Sequence, residues 1–118
     1  MRLNDVRWGD HGSYFRIVFD MSTSSGEPVL QVPHAQSSLS PDGKTIQVIL
    51  GGIRSLGSNP NATAADLPIG DPLVKGIKRV PSMDDQSLIY EIQLTQQTNY
   101  ALAGIGSPGR IVIDINRV

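Results

Sequence analysis

Apolar side chains recur at every second residue in four segments of the chain, which is typical of strands with one buried face. These segments are 14–21, 46–50, 88–94 and 111–115. Weaker strand patterns occur at 3–8, 29–32, 73–80 and 99–103. The chain has 12 glycines and 8 prolines, which separate these segments at short intervals. The sequence therefore predicts an all-β fold of about eight short strands, with at most one helical turn near residues 62–67.

Two polar connections between the predicted strands are long. Residues 34–44 are rich in serine, and residues 51–71 contain several glycines and prolines but few large apolar residues. Loops of about twenty residues are unusual inside a compact domain and are often functional or mobile. Two interpretations of the longer segment are open: an unstructured crossover between two halves of the fold, and a loop with a function.

Two short segments near opposite ends of the chain resemble each other. Residues 16–21 read Arg-Ile-Val-Phe-Asp-Met, and residues 110–115 read Arg-Ile-Val-Ile-Asp-Ile. Each follows a loop rich in glycine and serine. This repeat predicts two related halves packed face to face, as a sandwich of two antiparallel sheets.

Alternation divides each of these two segments into an inner and an outer face. We expect six apolar side chains in the core: Ile17, Phe19, Met21, Ile111, Ile113 and Ile115. We expect seven side chains to point outward: Tyr14, Arg16, Val18, Asp20, Arg110, Val112 and Asp114. An Arg and an Asp four residues apart on one strand are about 13 Å apart, so each needs a partner on a neighbouring strand or a ligand. The outer face is then either a solvated surface with cross-strand ion pairs or a polar platform for a polymer.

The two ends of the chain resemble a known family. Residues 6–20, Val-Arg-Trp-Gly-Asp-His-Gly-Ser-Tyr-Phe-Arg-Ile-Val-Phe-Asp, are similar to the opening of AMIN and AMIN-like domains, and residues 108–115 are similar to their close. The resemblance implies a β-sandwich that acts in the periplasm or at the cell surface and binds peptidoglycan. It implies that the motif positions Arg16, Asp20, Arg110 and Asp114 lie on the outer faces of the two sheets. The long segment 51–71 fits the AMIN-like branch, which is often part of lipoproteins.

Composition narrows the function classes. The 118 residues suit one domain spanning 1–118, and a net charge of −1 provides no field that would attract nucleic acid. The absence of cysteine excludes thiol catalysis and Cys-type zinc sites. No apolar run approaches the length of a membrane span. The first residues lack the apolar stretch of a signal peptide, so we expect that any export signal has been removed.

Motifs that could carry chemistry are weak in this sequence. Residues 104–109 match the G-x-G-x-x-G pattern of dinucleotide sites, but a strand follows, so we interpret them as a turn. A metal site would need His11, His34 and a carboxylate such as Asp10 to converge from separate loops, and no serine stands in a nucleophile elbow. Lys75, Lys78 and Arg79 form a small basic cluster that we interpret as a solvated strand or loop. We therefore expect no catalytic residue, no metal and no cofactor.

A candidate ligand site remains on the predicted outer face. Tyr90 and Trp8 are expected in the core, whereas Tyr14 shares the outer face with Arg16 and could stack on a sugar ring. The candidate residues are Tyr14, Arg16, Asp20, Arg110 and Asp114. The leading hypothesis is a non-catalytic module of the cell envelope that docks on peptidoglycan or a related glycan. The alternative is a protein–protein interaction or assembly domain of an exported lipoprotein or secretion component.

Overall fold

Two five-stranded β-sheets pack face to face in this protein. The structure, a computed structural model, describes residues 1–53, 55–82, 86–106 and 108–117. The described residues form these elements in chain order: β1 Arg2–Asp10, β2 Tyr14–Ser22, β3 Ala35–Leu39, β4 Thr45–Gly51, β5 Ser55–Leu56, α1 Pro60–Thr63, β6 Asp66–Pro68, β7 Val74–Val80, β8 Ser87–Leu94, β9 Tyr100–Ile105 and β10 Arg110–Asn116. The first sheet has the order β5-β1-β2-β10-β9, and the second has the order β3-β4-β8-β7-β6. The predicted all-β sandwich with one short helix is confirmed.

The core lies between the two sheets. All six side chains predicted to face inward from β2 and β10 are buried, and none is more than 3% exposed. They join one apolar cluster with residues of the second sheet, including Ile46, Val48, Leu50, Tyr90 and Ile92. Complete burial of side chains of this size stabilises a fold by about 1.5–3 kcal/mol each. The period-two alternation therefore identified the buried face of both strands correctly.

The two similar Arg-to-Asp segments are neighbours in one sheet. β2 pairs antiparallel with β10, which places Arg16 opposite Asp114 and Asp20 opposite Arg110. The prediction that the two segments form opposite walls of the sandwich is therefore wrong. Alternation shows which face of a strand is buried, but it carries no information about the neighbouring strand. As a consequence, a single outer face of the first sheet carries both motifs.

The long connections contain more regular structure than the sequence indicates. The segment 51–71 includes β5, which pairs parallel with β1, and also α1 and β6. The helix begins at Pro60, two residues before the predicted turn, and the Asn59 side chain accepts a hydrogen bond from the backbone N–H of Asn61. Residues 35–39 form the edge strand β3, whereas the weak strand predicted at 29–32 does not form.

The chain crosses from the first sheet to the second through residues 23–34, and this crossover packs against the turn before β10. The backbone N–H of Gly109 donates to the carbonyl of Val29, and the carbonyl of Gly109 accepts from the N–H of Met21. A Cβ at Gly109 would lie 2.9 Å from the carbonyl oxygen of Gln31. Residues 104–109 thus end β9 and turn into β10, as predicted, although Ser107 lies outside the described residues.

An arginine after β10 connects the two sheets at one end of the sandwich. Nη2 and Nη1 of Arg117 donate to the two carboxylate oxygens of Asp71, at 2.7 and 3.1 Å, and Nε donates to Asp10 Oδ1 at 3.0 Å. Asp10 ends β1 in the first sheet, and Asp71 precedes β7 in the second. Arg117, aided by the backbone N–H groups of Leu73 and Val74, holds the pKa of Asp71 below its usual value.

Candidate functional site

The outward side chains of β1, β2, β10 and β9 form one surface of the first sheet, here called the outer face. Residues that are directly opposite each other on paired strands point to the same side of a sheet. The strand registers therefore arrange this face in three rows. The rows are Gly9, Arg16, Asp114 and Ala101; Arg7, Val18, Val112 and Ala103; and Asp5, Asp20, Arg110 and Ile105.

Two arginines of the outer face form ion pairs across strands. Arg16 donates to both carboxylate oxygens of Asp114, at 2.8 and 3.0 Å, and this raises the pKa of Arg16. Arg7 donates to both oxygens of Asp20, with the longer contact at 3.0 Å. The predicted cross-strand ion pairing is therefore confirmed, but the partner of Asp20 is Arg7 of β1, a residue that the sequence analysis missed. Exposed pairs of this kind contribute about 0–1 kcal/mol to stability.

Arg110 differs from the other two arginines of this face. It is directly opposite Asp20, yet both oxygens of Asp20 accept hydrogen bonds from Arg7. Nη1 of Arg110 donates to the carbonyl oxygen of Pro108 at 3.1 Å. Arg110 forms no ion pair with any carboxylate of the described residues.

Two valines form an apolar floor between the charged rows. Val18 and Val112 are directly opposite each other and point outward, as predicted, but they are only 7% and 6% exposed. Neither belongs to the core cluster between the sheets. Long side chains of the neighbouring rows can cover apolar residues in this way. The two valines therefore form an apolar base of which little surface is exposed.

A shallow groove of about 280 Å³ lies over this floor. The residues that line it are Arg7, Trp8, Gly9, His11, Arg16, Val18, Ile105, Arg110 and Val112. Three of these residues are arginines, and no described carboxylate lines the groove. We call it the arginine groove. It combines three planar cations with an apolar base, an arrangement suited to an anionic or polar ligand that has one apolar face.

An aromatic stack closes one end of the arginine groove. The His11 ring lies parallel to the Tyr14 ring, with 5.0 Å between the ring centres and 2° between the planes. The Arg16 guanidinium carbon lies 5.2 Å from the centre of the Tyr14 ring. The Tyr14 ring, which was predicted to stack on sugars, thus already contacts two side chains of its own chain. His11 is exposed and lines the groove together with the partly buried Trp8, so a ligand can contact the His11 ring there.

The other candidate residues of the sequence analysis lie elsewhere in the fold. Lys75 and Lys78 are exposed on β7, whereas Arg79 donates to the backbone carbonyls of Ala62 and Thr63 at 3.3 and 3.4 Å. Tyr90 is fully buried, and Trp8 packs against the core, as expected. Among the residues that the structure covers, no three His, Asp or Glu side chains are grouped closely enough to hold a metal ion.

Comparison with models of known protein families and with curated proteins finds no match to this chain. The resemblance of the two ends to AMIN-like domains therefore stays a prediction. In the described part of the chain, no helix has the length and apolar character needed to cross a membrane.

Proposed function

We propose that this protein is a non-catalytic binding module of the cell envelope that docks on peptidoglycan or a related glycan. The observation that supports this proposal best is the arginine groove, because it concentrates three guanidinium groups on one open sheet face. The contact surface is the outer face of the first sheet. The resemblance of residues 6–20 and 108–115 to AMIN-like domains suggests the same ligand class and a periplasmic or cell-surface location.

The chemistry of the groove suits a glycan. Sugars present hydroxyl and carbonyl acceptors around a ring, together with C–H groups on the ring faces. The guanidinium groups of Arg7, Arg16 and Arg110 supply donors only, and Ile105, which is 36% exposed and lines the groove, supplies an apolar contact for a ring face. Arg7 and Arg16 are held by bidentate pairs with Asp20 and Asp114, so they lose little further freedom when a ligand binds.

The shape of the groove suits a polymer. It is shallow and open, and it crosses the strands from His11 at the β1–β2 turn to Ile105 at the end of β9. A small metabolite would keep much of its surface in water there, whereas a chain could extend beyond both ends. We expect a modest affinity for a single site, which many copies bound to one polymer would increase.

Cosedimentation with purified peptidoglycan sacculi tests this proposal. We expect the wild-type protein to pellet with the sacculi and the double variant Arg16→Ala/Arg110→Ala to stay largely in the supernatant. The matched control is Lys75→Ala/Lys78→Ala, which removes two exposed cations from the second sheet and should pellet like the wild type. The proposal is wrong if the wild type does not pellet, or if both double variants lose binding equally while remaining folded by circular dichroism.

Two edge strands support a second candidate function, assembly with a protein partner. β9 and β3 are edges of the first and second sheet, and neither strand contains a charged residue or a proline. Charges and prolines are the usual features that prevent edge strands from pairing with other chains. The hydroxyl of Tyr100 on β9 donates to Ser37 Oγ on β3 at 2.9 Å, so the two edges lie on the same side of the sandwich. An extended segment of another protein could add to either edge.

Lysine substitutions at the edges distinguish the two candidates. Gln36→Lys and Ser38→Lys each place a charge on β3 of the second sheet, and neither residue lies on the outer face or lines the arginine groove. If edge pairing is the function, these variants lose a protein partner and keep the behaviour of the wild type towards sacculi. If glycan docking is the function, they pellet with sacculi like the wild type, and no protein partner is needed.

A further inference from the structure

We propose that the group recognised in the arginine groove is a carboxylate and that Arg110 is the residue that binds it. This inference rests on the proposed function, since it names the chemistry that the groove would select within an envelope glycan. It follows from the ion pairing of the arginines that line the groove, from the position of Arg110 and from the space in front of Gly9.

Three arginines line the groove, and two of them are paired with a carboxylate of the outer face, while Asp5, the third carboxylate of this face, interacts with Arg7. Arg7 and Arg16 each form two hydrogen bonds with one carboxylate, so their positive charges are largely neutralised. Arg110 has no carboxylate partner within the described residues, although Asp20 is directly opposite it. An anion in the groove would therefore gain the attraction of Arg110 without displacing an existing ion pair. A neutral ligand would gain only hydrogen bonds.

The position of Arg110 favours a bidentate contact. Its guanidinium carries five N–H donors in a fixed plane, and the carbonyl of Pro108 accepts from Nη1 at 3.1 Å, which restrains the side chain. The remaining donors match the two oxygens of a carboxylate, a pairing that is stronger and more directional than a contact with a neutral hydroxyl. The adjacent Val112 and Ile105 reduce access of water to one side of such a pair.

The groove has room for the ligand beside Gly9. A Cβ built on Gly9 meets no atom within 4 Å, and Gly9 is not among the glycines with positive φ. Larger side chains are therefore sterically allowed at this position. Because Gly9 is opposite Arg16 on the outer face, a side chain added here would project into the arginine groove.

Matched pairs of small ligands test the proposal by NMR titration of the folded protein. N-acetylmuramic acid and N-acetylglucosamine differ by a lactyl ether that carries a carboxylate. N-acetyl-D-alanyl-D-alanine and its C-terminal amide differ only at the carboxylate. We expect at least fivefold tighter binding of the charged member in one pair or both, with shifts of signals from residues that line the groove. The pair that discriminates shows whether the carboxylate belongs to a sugar or to a peptide.

Two variants with matched controls assign the site. Arg110→Gln should remove the preference for the charged ligand, whereas Lys78→Gln, an equal loss of charge on the second sheet, should keep it. Gly9→Glu places a carboxylate in the groove and should reduce binding at least fivefold. Ala101→Glu makes the same charge change on the same face, outside the residues that line the groove, and should have a smaller effect. Equal affinity for charged and neutral ligands, or an unchanged preference in Arg110→Gln, would overturn the proposal.

Sacculi with amidated carboxyl groups separate this inference from the proposed function. If they bind the protein as well as untreated sacculi do, the carboxylate proposal is wrong and glycan docking stands. If neither preparation pellets the protein but the small carboxylates bind in the groove, the anion site is supported and the proposed function is wrong. If amidation alone abolishes pelleting, both are supported.

Discussion

The packing of Gly109 against the crossover 23–34 leads to a quantitative prediction. Gly109 is buried and its φ is not positive, so alanine fits the backbone conformation. The added Cβ would lie 2.9 Å from the Gln31 carbonyl oxygen and 3.1 Å from Cβ and Cγ1 of Val29. Overpacking of this kind costs about 1–3 kcal/mol, while replacing glycine by alanine returns about 0.4–1 kcal/mol through the unfolded state. We expect Gly109→Ala to lower the free energy of unfolding by about 1–2 kcal/mol.

Gly9→Ala is the matched control in the same sheet. Its Cβ meets no atom within 4 Å, so only the effect on the unfolded state remains. We expect an increase of about 0.5 kcal/mol in the free energy of unfolding. For a domain of this size, about 1 kcal/mol shifts the Tm by roughly 4 °C. Gly109→Ala should therefore melt about 4–8 °C lower than the wild type, and Gly9→Ala about 2 °C higher.

Equilibrium urea unfolding of the three proteins provides the measurement. The m-values should agree, because the substitutions do not change the surface exposed on unfolding. If Gly109→Ala is as stable as the wild type, the crossover is not packed against this turn as described. If Gly9→Ala is destabilised by more than about 0.5 kcal/mol, the space in front of Gly9 is not open, and the argument for the arginine groove is weakened as well.

Three further predictions concern the core and the connection between the sheets. Tyr90→Phe should leave the free energy of unfolding unchanged or raise it by up to about 1 kcal/mol, because the buried hydroxyl has no partner in hydrogen-bond geometry among the described residues. Burial raises the pKa of Tyr90 against the opposing effect of the nearby Arg79. A clear loss of stability in urea unfolding would show that the hydroxyl is bonded, with Arg79 as its donor. Ile113→Ala, at a fully buried position, should lower the free energy of unfolding by about 2–5 kcal/mol. Ile49→Ala, at a half-buried position on β4, should lower it by less than about 1 kcal/mol. The pKa of Asp71 is lowered in the fold, so its pairing with Arg117 stabilises the protein above the unfolded-state pKa of about 4. This stabilisation is lost as the pH falls through the lower pKa of the folded state. The difference in the free energy of unfolding between wild type and Arg117→Gln should therefore narrow from pH 6 to pH 2, and a constant difference would contradict this pairing.

Part of the candidate site could be predicted from the sequence. Arg16, Asp20, Arg110 and Asp114 point outward because alternation with buried neighbours leaves them no other orientation. The need of each charge for a partner on another strand was also predictable, since an Arg and an Asp four residues apart on a strand are too far apart to pair. Arg7 was missed because the opening strand pattern is weak, and nothing local indicates which strand lies beside β2.

The secondary structure of weakly patterned segments could not be predicted in the same way. β3 is an edge strand with only Ala35 half-buried, so it needs no apolar alternation and is held by its pairing with β4. β5 contains two residues and exists through its parallel pairing with β1. In contrast, residues 29–32 carry a weak strand pattern without forming a strand. Val29 packs against Gly109, so its apolar side chain is buried without any strand pairing.

The sequence by itself determined the fold class, the strands with strong alternation, their inward side chains and the turn at 104–109. These properties depend on the period-two geometry of an extended backbone, which acts over a few residues. Only the tertiary structure decided that β2 and β10 are neighbours and that Asp20 pairs with Arg7 and not with Arg110. It also decided that Val18 and Val112 form the base of a groove. These properties depend on strand pairing between residues far apart in the sequence, such as Arg16 and Asp114, which are separated by 98 positions. Backbone hydrogen bonds are the same for any pair of strands, so the neighbour is selected by packing of the whole core.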